Sequence, residues 1–148
     1  KGENYEFVRL RGGGSSFPLT KKLLEDDPSA MKYEHAGLAV WKDVITEMPK
    51  IIRKILKSCD WDINDIDYIL MHQANLRLIE FVMYRLGLDM SKTLTNIDEI
   101  GNTADASLGT VIYDAYKKKI FTPGKKIILT SVGAGFIYGA TPYLVPSV

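Results

Sequence analysis

The sequence predicts a layered α/β domain with a mixed sheet. Three observations support this class: an unbroken apolar strand at 68–71, helical periodicity on both sides of it, and two further strands near the carboxyl end. The predicted order is strand, helix, strand, helix, short strand, helix, strand, strand. Such alternation is typical of helices packed on a sheet and differs from the pattern of a helical bundle or a β-sandwich.

The first third of the chain predicts a strand, a loop and a long helix. Alternation at 5–10 indicates a short strand, and the residues after it are rich in Gly, Ser and Pro, which indicates a loop. Apolar positions from Gly37 to Leu56 follow a helical period, and Pro49 is expected to kink or split this helix near Met48. We therefore expect an opening strand and loop over 1–35 and a core over 36–148.

The middle of the chain predicts a buried strand and an amphipathic helix. Tyr68–Met71 is apolar throughout, which favours burial on both faces. A helix is expected from about Ala74, with Leu76 on its buried side, and Gly87 is a natural stop. A short strand is expected at 93–97.

The last third predicts a helix and a pair of strands. The helix is expected over 104–119, with Asn102 or Thr103 as its cap and Tyr116 facing inward. The strands are expected at 126–132 and 136–145, as an antiparallel pair joined at Gly133-Ala134-Gly135.

Composition excludes several classes of function. The net charge is +1, so there is no electrostatic basis for binding nucleic acid or an anionic membrane. No apolar run is long enough to span a bilayer, and the polar start shows no signal peptide, so we expect a cytoplasmic protein. Cys59 is the single cysteine, which excludes an internal disulfide, and it is distant in sequence from His35 and His72. No metal site is expected.

His72 and Asn102 are the candidate catalytic residues. An imidazole after a strand and a carboxamide before a helix can donate two hydrogen bonds to one carbonyl oxygen, as in many sites that stabilise an enolate. His72 ends one predicted strand and Gly133 ends another, and ligands of α/β sheets bind at such strand ends. No nucleophile accompanies them, so the sequence predicts part of an active site without its reactive atom.

Three motifs, in this order, resemble the carboxyl-terminal half of β-ketoacyl-acyl-carrier-protein synthase III, a thiolase-fold condensing enzyme. They are His72-Gln73-Ala74-Asn75-Leu76-Arg77, Gly101-Asn102-Thr103 with Ala106-Ser107, and Gly133-Ala134-Gly135-Phe136-Ile137-Tyr138-Gly139-Ala140. The resemblance implies a thiolase-like half-domain, with a mixed five-stranded sheet flanked by helices. It also implies that the catalytic cysteine belongs to an amino-terminal half absent from this chain, and that Cys59 does not replace it.

The resemblance further implies an acyltransferase that initiates fatty acid biosynthesis by decarboxylative condensation of an acyl-enzyme with malonyl-carrier protein. His72 and Asn102 match the family's catalytic His and Asn, and Gly133, Ala134 and Gly135 match its oxyanion loop. Contacts with coenzyme A (CoA) or acyl carrier protein are implied for Gln73, Ala74, Asn75, Leu76 and Arg77. No cofactor is expected, because CoA and the carrier's phosphopantetheine bring the substrates. The implied partners are the amino-terminal half, acyl carrier protein, acyl-CoA and malonyl-carrier protein, with a homodimer at full length.

Two alternatives stay open at this point. Ala134 and Val132 stand where the commoner family pattern has Gly and Phe, which leaves room for a specialised condensing enzyme of the alkylresorcinol or polyketide type. The other alternative is a non-catalytic module that retains carrier-protein docking and has lost the chemistry.

Overall fold

The computed structural model describes residues 1–147, which divide into two compact units. The first unit contains Lys1–Asp43 and Gly133–Ile137, and the second contains Val44–Val132 and the described residues from Tyr138 onward. The first unit thus extends beyond the opening segment expected at 1–35. It also takes in the connection between the last two strands.

Five strands and five α-helices lie along the described chain. The strands are β1 Val8–Leu10, β2 Tyr33–His35, β3 Tyr68–Met71, β4 Lys126–Gly133 and β5 Ile137–Leu144. The helices are α1 Lys21–Asp26, α2 Gly37–Ser58, α3 Leu76–Leu86, α4 Ile97–Ile100 and α5 Ala106–Lys117.

The predicted α/β class is confirmed, and its five strands lie in two sheets rather than one. In the first unit, β1 and β2 form an antiparallel ribbon in which Val8 is opposite His35. The other sheet has the order β3-β4-β5. β3 and β4 are parallel, with Tyr68 beside Ile127, and the three-residue connection from β4 to β5 requires an antiparallel pair.

The strand expected at 5–10 is shorter in the structure, because Gly2–Phe7 form a 3₁₀-helix and β1 begins at Val8. A strand of three residues makes few ladder hydrogen bonds. Arg9 in β1 and Glu34 opposite it in β2 add a side-chain contact. The Nε atom of Arg9 donates to Oε2 of Glu34 at 2.7 Å. An alternating pattern this short does not distinguish a strand from a tight helical turn.

The long helix α2 continues through Pro49, so of the kink or split expected near Met48, the split does not occur. Pro49 removes one backbone donor, but its ring is buried beside Val44, Met48 and Ile52 on the apolar side of the helix. Burial of that side compensates for the missing hydrogen bond.

The second unit is organised around β3, which is buried at three of its four residues as predicted. Helix α5 packs on β3, and Val111 and Ala115 of that helix join Leu70 and Ile127 in one apolar cluster. At the amino end of β3, Asp67 accepts hydrogen bonds from Lys125 Nζ at 2.6 Å and from the Lys126 N–H at 2.8 Å. These contacts set the register of β3 against β4.

Four local predictions in this unit differ from the structure. No strand forms at 93–97: Thr93 makes an isolated parallel bridge to Ile69, and Ile97 already begins α4. Tyr116 is 70% exposed rather than inward, and Leu76 is 38% exposed because it begins α3 at the surface. Helix α5 spans Ala106–Lys117, two residues shorter at each end than predicted. The predicted stop of α3 at Gly87 is confirmed, with φ +77° there.

No helix in the part of the chain that the structure describes is both long and apolar enough to cross a membrane.

Candidate active site

His72 directly follows β3 and continues its pairing with β4. Its backbone N–H donates to the carbonyl of Thr130 at 3.1 Å, which extends the parallel ladder by one residue. The side chain therefore leaves from the carboxyl end of β3, beside the parallel strand β4. This is the edge at which α/β sheets bind their ligands.

Ser107, in the first turn of α5, holds the His72 ring from one side. Its Oγ atom is hydrogen-bonded to Nδ1 of His72 and accepts the N–H of Gln73 at 3.1 Å. The serine is 0% exposed, so no water competes for these bonds. Nε2 of His72 makes no hydrogen bond within residues 1–147 and is left for another partner.

The surroundings of His72 favour its neutral form. Burial lowers the pKa of its imidazole below the ordinary value, because an apolar surrounding disfavours the charged form. The carboxylate of Asp105 acts in the opposite direction and raises the pKa, but by less. A neutral ring carries a single N–H, so which nitrogen holds the proton decides what the ring can donate.

Asn102 lies in the loop between α4 and α5, with its side chain exposed. Its Oδ1 atom accepts the Ala104 N–H at 2.9 Å, which closes a tight turn in which Ala104 has φ +50°. The Nδ2 amide has no hydrogen-bond partner among the described residues. The carboxamide thus combines a turn-forming acceptor with an unused donor.

The expected capping of α5 by Asn102 or Thr103 is wrong. The helix is preceded by Asp105 in a helical conformation, and no side chain accepts its first N–H groups. The hydroxyl of Thr103 is buried without a partner within residues 1–147. Because Asn102 bonds to the turn, its side chain is not available to the helix.

Gln73 is fully buried, with 0% of it exposed, although a CoA or carrier-protein contact is expected there from the sequence. Its Nε2 atom donates to the carbonyl of Met71 at 2.9 Å, and its Oε1 atom accepts the Asn96 N–H at 3.2 Å. The Asn96 amide in turn donates to Asp114 Oδ2 at 2.7 Å. Gln73 therefore supports the backbone around His72, and a CoA or carrier-protein contact at Gln73 itself stays a prediction.

The next residues along the chain lie at or near the start of α3. Asn75 is the N-cap and its Oδ1 accepts the Leu78 N–H at 3.3 Å, while Ala74 and Leu76 flank it. Arg77 is 80% exposed and pairs with Glu80 across one helical turn at 3.0 Å. A CoA or carrier-protein contact at Ala74, Asn75, Leu76 and Arg77 stays a prediction.

The glycine-rich connection Gly133–Gly135 belongs to the first unit. Gly135 has φ +134°, a conformation that residues with a side chain rarely adopt. A Cβ atom at Gly133 would lie 3.2 Å from Cγ2 of Ile137, so the close return of the chain also favours glycine there. The expected oxyanion role of Gly133, Ala134 and Gly135 stays a prediction.

Cys59 follows the carboxyl end of α2 and is half-buried. Its Sγ atom lies 3.2 Å from the carbonyl of Ile55, in hydrogen-bonding contact with the helix end. No group of three or more His, Cys, Asp or Glu side chains that could hold a metal ion occurs in the described part of the chain.

Sequence reasoning missed Ser107 as part of the site. The residue stands in the motif Gly101-Asn102-Thr103 with Ala106-Ser107, but nothing in the motif indicates which side chain it contacts. The only signal available is a hydroxyl in the first turn of an otherwise apolar helix face.

Comparison with known proteins supports the resemblance seen in the motifs. The profile of the family described as 3-Oxoacyl-[acyl-carrier-protein (ACP)] synthase III C terminal matches residues 56–143. The β-ketoacyl-[acyl-carrier-protein] synthase III of Oleidesulfovibrio alaskensis is 33% identical over 135 residues, which are 91% of this chain and 40% of the relative. The protein of the same name from Clostridium tetani is 37% identical over 117 residues, which are 79% of this chain and 35% of that relative. The chain thus spans well under half the length of these relatives.

Solved structures show the same fold. The crystal structure of 3-oxoacyl-(acyl carrier protein) synthase III from Pseudomonas aeruginosa PAO1 aligns with a TM-score of 0.84 at 24% identity, over 99% of this chain and 43% of that one. The corresponding Thermus thermophilus structure gives a TM-score of 0.82 at 23% identity, over 99% of this chain and 44% of that one. With the profile match covering both His72 and Asn102, the chain belongs to the 3-oxoacyl-[acyl-carrier-protein] synthase III family and corresponds to its carboxyl-terminal part.

Proposed function

We propose that this chain supplies the enolate-stabilising half of a condensing acyltransferase of the 3-oxoacyl-carrier-protein synthase III type. The observation that carries the proposal is the arrangement at the end of β3. Ser107 engages Nδ1 of His72, and Nε2 has no partner within residues 1–147. An imidazole held through one nitrogen can offer the other to a substrate atom.

In the complete enzyme, a cysteine thiolate on the other half attacks the carbonyl carbon of acyl-CoA, takes the acyl group and displaces CoA as its thiolate. Malonyl-carrier protein then loses carbon dioxide, and the electron pair of the broken C–C bond forms an enolate at the thioester. The enolate carbon attacks the acyl-enzyme carbonyl, and the cysteine thiolate leaves. The product is a 3-oxoacyl-carrier protein.

His72 and Asn102 are the donors to the enolate oxygen in this scheme. A donor of this kind is worth about 3 kcal/mol in the transition state. The lowered pKa of His72 supports the assignment, since a neutral ring donates without transferring a charge into a buried site. The N–H of Ala134 would stabilise the oxyanion formed when the enolate carbon attacks.

The proposal includes the partners that this chemistry needs. They are the cysteine-bearing half, acyl-CoA, and acyl carrier protein, whose acidic surface would meet Arg77 beside the start of α3. The substrates arrive on CoA and phosphopantetheine, so no resident cofactor is invoked. We infer that the chain by itself is inactive, and that the complete enzyme is a cytoplasmic homodimer.

The test uses a polypeptide in which this chain is joined to its cysteine-bearing half. Exchange of His72 for Ala is expected to lower carbon dioxide release from malonyl-carrier protein on the order of 10²–10³-fold. Acyl transfer from acyl-CoA to the cysteine, measured by intact mass, is expected to remain measurable. His35→Ala is the matched control, because His35 is the other histidine and is exposed in β2.

Two results would contradict the proposal. Carbon dioxide release at the normal rate in His72→Ala would remove His72 from the reaction. No decarboxylation by the unaltered polypeptide would favour the non-catalytic docking module instead. Acylation by a panel of acyl-CoA thioesters separates fatty acid initiation from a specialised condensing enzyme.

A further inference from the structure

The hydroxyl of Ser107 decides which nitrogen of His72 carries the proton. A serine hydroxyl has one O–H donor and two acceptor positions. One acceptor position is taken by the N–H of Gln73 at 3.1 Å. The remaining contact of Oγ among the described residues is with Nδ1 of His72.

Only one tautomer of His72 satisfies all of these groups. If Nδ1 carried the proton, Oγ would accept two N–H groups, and its own O–H would have no acceptor in the described part of the chain. A buried hydroxyl proton without an acceptor is unfavourable, and Ser107 is fully buried. If Nδ1 is unprotonated, the O–H donates to it and no group is left unpaired.

Ser107 is itself held in place by a closed ring of hydrogen bonds. Thr110 Oγ1 donates to the carbonyl of Ser107 at 2.9 Å and accepts from the Asn96 amide at 3.2 Å. The Asn96 N–H donates to Gln73 Oε1 at 3.2 Å, and the Gln73 N–H returns to Ser107 Oγ. The hydroxyl therefore has little freedom to turn away from the imidazole.

We propose that Ser107 is a positioning residue that keeps His72 in the tautomer protonated at Nε2, so that this N–H points away from α5 toward the substrate oxygen. The catalytic consequence rests on the function proposed above, whereas the tautomer does not. A ring protonated at Nδ1 would present a lone pair to the enolate oxygen and repel it. Ser107 thus acts on the reaction through His72, without touching the substrate.

Nuclear magnetic resonance of the unaltered chain tests the tautomer directly. Two-bond ¹H–¹⁵N correlations distinguish a protonated from an unprotonated imidazole nitrogen, and the chain has only two histidines, which His35→Gln assigns. At about pH 8, well above the pKa of the ring, we expect Nε2 protonated and Nδ1 unprotonated. A protonated Nδ1, or a rapid mixture of the two forms, would overturn the proposal.

Variants at Ser107 test the cause. Ser107→Ala removes the donor and is expected to yield a mixture of tautomers, whereas Ser107→Thr retains the hydroxyl and is expected to restore the Nε2-protonated form. A single Nε2-protonated form in Ser107→Ala would show that the serine does not select it. If Ser107→Ala does not fold, Ser107→Cys is used instead, since a thiol is a much weaker donor.

Kinetics in the polypeptide with both halves completes the test. Ser107→Ala is expected to lower carbon dioxide release roughly tenfold, the rate equivalent of one neutral hydrogen bond, with KM for malonyl-carrier protein unchanged. Ser107→Thr is expected to recover most of the rate. An unchanged rate in Ser107→Ala would overturn the positioning role. A correct tautomer in a polypeptide that never decarboxylates would instead contradict the proposed function and leave the tautomer assignment intact.

Discussion

Asn102 can act as a turn former and as a hydrogen-bond donor to the substrate, and one pair of variants separates these two roles. Its Oδ1 atom accepts the Ala104 N–H at 2.9 Å, and its Nδ2 donor is unused within residues 1–147. Asn102→Asp retains an oxygen for the turn and removes the N–H donor. Asn102→Ala removes both. The two variants therefore share the loss of the donor and differ in the loss of the turn.

The expected sizes of the two effects are different. The turn bond is exposed to solvent, so its loss in Asn102→Ala should lower the free energy of unfolding by about 1 kcal/mol or less. A donor to the enolate is worth about 3 kcal/mol, which corresponds to roughly a hundredfold loss of rate. Asn102→Asp should lose at least as much rate as Asn102→Ala, because a carboxylate also repels the enolate.

The assay measures carbon dioxide release from malonyl-carrier protein by a polypeptide that contains both halves. Acylation of the cysteine by acyl-CoA, followed by intact mass, serves as the control for folding and for the first step. Denaturant unfolding of each variant reports the contribution of the turn.

One pattern would refute the reasoning. If Asn102→Asp decarboxylates at the normal rate and only Asn102→Ala is impaired, in step with its stability, then Asn102 is a turn former and not a donor.

Three further predictions concern docking, the isolated chain and pH. Arg77→Glu should raise KM for malonyl-carrier protein about fivefold, which is the equivalent of one exposed ion pair. The increase should be larger at low than at high salt, and kcat should be unchanged. Arg85→Glu, on the exposed last turn of α3, is the matched control. If Arg77→Glu and the unaltered enzyme have equal KM values at low salt, Arg77 does not belong to the docking surface. The isolated chain incubated with acetyl-CoA should show no adduct by mass spectrometry, and stoichiometric acylation of Cys59 would contradict this. Burial lowers the pKa of His72 in the folded state, so below about pH 6.5 the unfolded state binds more protons than the folded state does. Acidification from about pH 7 to about pH 5.5 should therefore reduce the free energy of unfolding. His72→Gln should lose less free energy of unfolding than the unaltered chain over the same pH range. An equal loss in the two proteins, measured by urea unfolding, would show that His72 does not cause the pH dependence.

Much of the fold could be predicted from local patterns. The bounds of β3, the stop of α3 at Gly87 and the strand pair after residue 125 follow from apolar runs, glycine and turn residues that act on their immediate neighbours. The prediction was wrong where a short pattern fits two structures, as at Gly2–Phe7, which forms a 3₁₀-helix. It was also wrong for Tyr116, because periodicity indicates a face of a helix but not how far the packing extends around it.

The sequence by itself determined the family, the α/β class and the position of His72 at the end of a strand, since these depend on motifs and on neighbouring residues. Only the tertiary structure decided that Gln73 is inside, although it stands in an active-site motif. Only the tertiary structure also placed Ser107 against Nδ1 of His72, across 35 residues of sequence. The reason is that burial and hydrogen-bond partners are set by which distant elements pack together. Here the packing of α5 on β3 brings a serine with no distinctive local pattern into contact with the imidazole.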